Sequence, residues 1–310
     1  MVPRRALVLL LPLLAMGCAG RGEQAPPAPL ALRFGTALET ADPSADALVG
    51  RMDEFERMVL REEAAVAFAE GGHRSGPPRL HPPLAGAAEA AGRVLMPAFT
   101  ALGDYGHGLA QLAAGDAVEP RSGPSGALLA RAAEDGVAAV QQASGTVVPA
   151  PVRQAGIAAI AALSELPDRF AAAGRGASPD AMVAEATPHV AAIAALLRAV
   201  IGAETGQGTR GALRARREGL DALQTRFLGA VAADRRLGVA ERYTIYRGVA
   251  ALRDDDPAQG SFAALVEVVA SLEAAQAALA GRGADAEARV AAFEAAVARL
   301  GVMAEASRRD

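Results

Sequence analysis

The chain has 310 residues, 52% of them hydrophobic and 4% aromatic, with a formal net charge of −4. All 31 basic side chains are arginine and no dense basic stripe stands out, which argues against the counterion-release chemistry of a nucleic-acid binder and against attraction to anionic lipid beyond an anchor. A single cysteine, Cys18, rules out a disulfide framework, and the length suffices for one large or two ordinary domains with a substantial core.

The first element is a leader. Arg4 and Arg5 precede an apolar run from Ala6 to Met16. That run fits the hydrophobic region of a signal peptide, about 7–15 residues, and falls short of the ~20 that span a bilayer. It ends on Leu14-Ala15-Met16-Gly17-Cys18. These residues resemble the lipobox of bacterial lipoproteins, with Ala15 where leucine is the commoner residue. The resemblance covers this terminus alone. It implies removal of residues 1–17 and a mature chain that begins at Cys18, carries two or three acyl chains such as palmitate, and is held stably in a membrane. Ala19 stands where aspartate marks inner-membrane retention in well-studied lipoproteins, so the periplasmic face of the outer membrane is favoured. The alternative is an ordinary secretory signal cut after Ala15-Met16-Gly17. That would leave Cys18 as an unpaired thiol in an oxidising compartment, where it invites intermolecular disulfides. Lipidation removes the anomaly.

Residues 18–42 are rich in Pro, Ala and Gly around Ala25-Pro26-Pro27-Ala28-Pro29 and read as a tether, with Leu30, Leu32 and Phe34 available to dock on the body. The body, 43–310, is helical by pattern. Asp42-Pro43 reads as a cap followed by Pro at the first helical position, opening a helix over 44–71 that Gly71-Gly72 closes. A second helix covers 84–114 with a kink at Pro97, a third 125–144, and a fourth 151–173 broken or bent at Pro167. Ser178-Pro179 opens a fifth that runs to about Glu204, with Pro188 inside it. A sixth carries Leu213, Leu220, Leu223, Phe227 and Val231, and a shorter piece follows with Tyr243, Tyr246, Val249 and Leu252. Asp256-Pro257 and Asp285 open the last two.

No stretch alternates with period two over β-branched residues, so no sheet is expected. The fold class is all-α: an Ala-rich antiparallel bundle of about eight helices. Gly174-Arg175-Gly176 offers a boundary near 175 that would divide it into two packed four-helix halves.

Candidate chemistry is sparse. Glu70-x-x-His73 has the spacing of a di-iron carboxylate bundle, but the second copy is missing, Asp104-x-x-His107 being its nearest substitute. No His-x-x-x-His supports zinc, His81 and His189 stand alone, and Asp254-Asp255-Asp256 lacks the alternating ligands and closing Glu of a calcium loop. No metal site or cofactor is therefore expected. Motifs of the Gly-x-Ser-x-Gly, Ser-x-x-Lys and His-Glu-x-x-His type are absent, so no catalytic residue is assigned. The most unusual stretch of the body is Gly103-Asp104-Tyr105-Gly106-His107-Gly108. Three glycines in a helical pattern imply either close helix contact or backbone exposed to a ligand. In the second case Asp104, Tyr105 and His107, with Tyr243 and Tyr246, would line an interhelical pocket for a small or lipidic ligand. In the first, Tyr105 packs and His107 faces water. Glu62-Glu63 and Arg214, Arg216 and Arg217 read as solvated faces. The expected function is that of a noncatalytic, lipid-anchored envelope scaffold or accessory subunit with an envelope protein as partner. The alternative is the pocket-bearing binding module.

Overall fold

The computed structural model describes residues 28–71, 86–120, 122–204, 206–254 and 257–306. The described residues form an all-α bundle: α1 (Ala28–Ala69), α2 (Ala87–Ala114), α3 (Gly126–Ser144), α4 (Ala150–Ser164), α5 (Leu166–Ala173), α6 (Pro179–Ile201), α7 (Gly208–Ala233), α8 (Val239–Asp254), α9 (Pro257–Gly281) and α10 (Ala286–Ala306).

Local signals set most boundaries. Ser125 and Ser178 cap α3 and α6, accepting from the amides of Leu128 (3.4 Å) and Ala181 (3.2 Å), and Pro179 takes the first position of α6. Gly115 and Gly145 stop α2 and α3 in the left-handed region, at φ of 86° and 68°. Pro167 is the second residue of α5, so the expected fourth helix is two, parted at Glu165. Beyond α6 the chain turns so tightly that a Cβ on Gly208 would lie 2.5 Å from the Gly202 amide nitrogen.

One boundary is corrected. The expected tether is helix from Ala28 onward, and α1 runs straight through Asp42-Pro43. Tertiary burial overrides the local cap signal: Leu30, Phe34, Leu38 and Ala41 are all buried, and the Phe34 ring lies 5.2 Å from that of Phe293 on α10. Arg33 adds a bidentate pair with Glu294, its Nε donating at 2.9 Å. The cost of a missing amide at Pro43 is offset by this face.

The helices form a closed circuit. α1 packs on α2, α2 on α3, α3 on α4, α4 on α6, α6 on α9, α9 on α10, and α10 on α1, while α2 also reaches α4 and α6 across the middle. A single hydrophobic core joins residues from α1 to α10, so the turn at Gly174–Gly176 separates no independent halves. α7 crosses one end of the circuit, touching α1, α2, α3, α6 and α9. α8 packs chiefly on α7.

Small residues let the longest pair approach closely. Gly35, Asp42, Val49 and Glu56 stand seven apart on α1, and they meet Gly106, Gly103, Gly92 and Gly86 in descending order, which makes the α1–α2 pair antiparallel. A Cβ on Gly106 would fall 2.6 Å from Leu38 Cβ and 2.7 Å from the Gly35 carbonyl oxygen. The glycines around Tyr105 therefore serve packing rather than a ligand. Gly108 repeats the pattern against Pro167 and Met182.

Candidate functional site

The five pocket candidates occupy separate settings. Tyr105 is fully buried, and its hydroxyl donates to Gln276 Oε1 at 3.1 Å. Gln276 in turn donates to the Val183 carbonyl (3.0 Å) and to Thr187 (3.1 Å), tying α2, α6 and α9 together. Burial without a countercharge pushes the phenol well above its ordinary range, as befits a structural donor. His107, two residues on, faces solvent, bonded to Glu39 on α1 and to Gln111 at 3.1 Å. Asp104 is half-buried beside Asp42. Tyr243 and Tyr246 are 61% and 59% exposed on α8, outside the circuit. The expected pocket is thus not assembled: its centre is a sealed hydrogen-bonded core, and its second half lies on a helix packed elsewhere.

Cys18, His73, His81, Asp255 and Asp256 lie outside the described residues. Among the described residues no group of three or more His, Cys, Asp or Glu side chains is placed to hold a metal ion.

Two polar clusters along the α1–α2 seam escaped the sequence. At one, Glu56 is 4% exposed and caps a helix from a distance: its Oε1 accepts from the Ala87 amide (3.1 Å) and its Oε2 from the Ala88 amide (2.7 Å). Gly86 precedes α2 and has no side chain to do this, and a Cβ there would meet Glu56 Oε2 at 2.3 Å. A carboxylate from α1 thus satisfies the first amides of α2. Desolvation raises the Glu56 pKa despite these two bonds, which pull it down. Beside Glu56 a cleft of about 330 Å³ opens between α1, α2, α3 and α7, with Glu63, Ser144 and Arg216 on its walls. Arg216 Nη1 lies 3.9 Å from Glu63 Oε2, so the two residues read as solvated faces form a loose ion pair across helices. The cleft's charges are committed to one another and to α2.

At the other cluster Asp42 is half-buried, and burial, then Asp104, then Asp46 raise its pKa to about 6. The sign follows from proton binding: between the unfolded value of 3.8 and about 6 the folded chain holds the extra proton, so stability falls as pH rises through that window. Asp42→Asn should be more stable than the native chain above pH 6 by about 1 kcal/mol, discounted for partial exposure, and the gain should vanish near pH 4. Urea unfolding at both pH values checks this; an equal difference at both would refute the assignment.

Two stretches, α6 (Pro179–Ile201) and Gly260–Gly281 of α9, are long and apolar enough to cross a membrane. They lie against each other inside the bundle, where Val190, Ile193, Leu197, Leu265, Val269 and Leu272 are buried. They also carry the Arg198–Glu273 pair and the buried Gln276. These side chains are contacts between the two helices within the bundle. No family model, curated protein or solved structure matches this chain.

Proposed function

We propose that this chain is a lipid-anchored cell-envelope protein, held by acyl chains on Cys18 at the periplasmic face of the outer membrane. Its helical body acts through its surface, as a noncatalytic scaffold or accessory subunit to an envelope protein partner. The observation that carries the reading is the single cysteine placed directly after Arg4-Arg5, the apolar run and Leu14-Ala15-Met16-Gly17.

The disposition of polar groups supports the second part. Among the described residues the buried polar side chains are occupied structurally: Glu56 on the α2 amides, Gln276 on Tyr105 and Val183, Thr209 on the Val200 carbonyl, and Gln224 on Arg253. A catalytic site needs a nucleophile or acid–base pair aimed at a shared empty space. The four side chains named here are each bonded within the helical frame.

The chain length between anchor and body fits the reading. From Cys18 to Ala28, where α1 begins, ten residues reach at most about 35 Å. Replacing Cys18 with Ala should abolish acyl labelling and move the protein from the membrane to the soluble fraction. Unchanged labelling or retention would defeat the anchor.

A further inference from the structure

Charge is segregated in this molecule in a way that net charge hides. The α7–α8 hairpin, from Gly208 to Asp254, holds ten arginines and five acidic residues in a chain whose overall charge is −4. Its base is stitched to itself: Arg253 donates to Gln224 Oε1 (3.0 Å), Thr225 Oγ1 (2.9 Å) and the Asp221 carbonyl (3.0 Å), and Arg217 donates to the Arg253 carbonyl at 2.6 Å. Toward the turn these bonds give way to a bare surface. Val239, Tyr243 and Tyr246 follow at i, i+4 and i+7 on one stripe of α8, 81%, 61% and 59% exposed.

The acids of this outer half are spent locally. Asp234 pairs with Arg236, whose amide and guanidinium hold its carboxyl below the usual range, and Glu241 accepts from the Gly238 amide at 2.7 Å. Arg226, Arg235 and Arg247 are exposed and make no ion pair among the described residues. Arg226, Arg235, Arg236, Arg242 and Arg247 outnumber Asp234 and Glu241 there, so this half is aromatic, aliphatic and net cationic.

We propose that this stripe, Val239, Tyr243 and Tyr246 with the exposed Arg247 one turn beyond Tyr243 and the exposed Arg235 just before α8, is a second membrane contact that seats on an anionic lipid headgroup layer. Tyrosine favours the boundary between headgroups and acyl chains, and arginine stems lie along apolar surface while their heads reach phosphate. The charge matches, and the size discriminates: a stable protein interface takes about 20–30 residues a side, far more than one helix stripe. A fluid array of anionic headgroups needs no matched shape. Two guanidiniums are worth only about 1 kcal/mol each at such a surface, so the contact is weak unless the chain is already held there. For that strength, though not for its chemistry, the inference rests on the anchor at Cys18.

α7 meets α1 near Glu63, some 35 residues from Ala28, or roughly 50 Å along the helix. The start of α1, ten residues after Cys18 in the chain, and the α7 contact thus lie toward opposite ends of that helix.

The chain has no tryptophan, so Tyr246→Trp in the full chain adds a single indole at the stripe. It is mixed with vesicles of phosphatidylglycerol and phosphatidylcholine, or of phosphatidylcholine alone, with brominated acyl chains in each. The expected result is a blue shift and quenching on the anionic vesicles only, with Arg235→Glu or Arg247→Glu each weakening vesicle affinity roughly fivefold or more. All three positions are exposed, so far-UV circular dichroism should stay unchanged. Emission that stays put on anionic vesicles, or shifts equally on zwitterionic ones, overturns the proposal. A shift with soluble polyglutamate but not with anionic vesicles also overturns it, and assigns the stripe to an acidic protein. Acyl labelling at Cys18, read in parallel, distinguishes failure of the anchor from failure of the hairpin.

Discussion

Gly106→Val should destabilise the bundle by at least about 3 kcal/mol, the upper range for overpacking. The space is closed by atoms that cannot yield cheaply: the Gly35 carbonyl oxygen at 2.7 Å and Leu38 Cβ at 2.6 Å from where the new Cβ would stand. Backbone of one helix faces backbone of the other, so relief requires α1 and α2 to part, and α1 also carries the contacts to α9 and α10. A gain in helix propensity of about 1 kcal/mol is too small to compensate. Gly229 on α7 is the internal control. Nothing lies within 4 Å of a Cβ there, so Gly229→Ala should be neutral or stabilise by up to about 1 kcal/mol. Denaturant unfolding followed at the helical band compares the two; equal effects would show that the α1–α2 seam is not the close contact described.

Glu56→Ala should cost a similar amount, about 3 kcal/mol, because two buried amides lose their acceptor and each leaves a desolvation penalty of about 1–3 kcal/mol. Glu56→Gln is the sharper probe. One amide oxygen replaces two carboxylate oxygens, so one of Ala87 and Ala88 then faces an NH2 group. The pH dependence carries a sign that a generic core defect would not. Burial raises the Glu56 pKa above 4.5, so the native chain is at its most stable, relative to the glutamine variant, below that value. As pH rises through the folded pKa the native chain loses part of this contribution while the variant does not, and the difference between them narrows. A difference that widens with pH would contradict the buried-carboxylate account.

These two sites show what the sequence could and could not convey. The all-α class, the caps at Ser125 and Ser178, the Gly115 stop and the break at Pro167 are local, decided by residues within a turn of the boundary. The start of α1 is not. Asp42-Pro43 is a sound cap signal, yet Leu30, Phe34 and Leu38 already recur at helical spacing before it, and the partners that make that spacing pay, Phe293 and Glu294, stand some 260 residues away. Glu56 was illegible for the same reason: its amides lie 31 and 32 residues on. The glycines of 103–108 were legible as a choice between close packing and a ligand, and only the position of Gly35 decides between them. The tyrosine pair was joined to Tyr105 by residue type alone, and the separation of α8 from α2 undoes that. The basic hairpin was hidden by averaging, because the ten arginines of 208–254 are set against acids spread over the rest of the chain.

The central claim concerns the terminus rather than the bundle, and one measurement addresses it most directly: the mass of the N-terminal peptide of the protein extracted from membranes of the cells that make it. The account predicts a mature chain beginning at Cys18, its thiol in thioether linkage to diacylglycerol and its mass raised by the acyl chains, with residues 1–17 gone. A chain that begins elsewhere, or that begins at Cys18 with a free thiol, would contradict it.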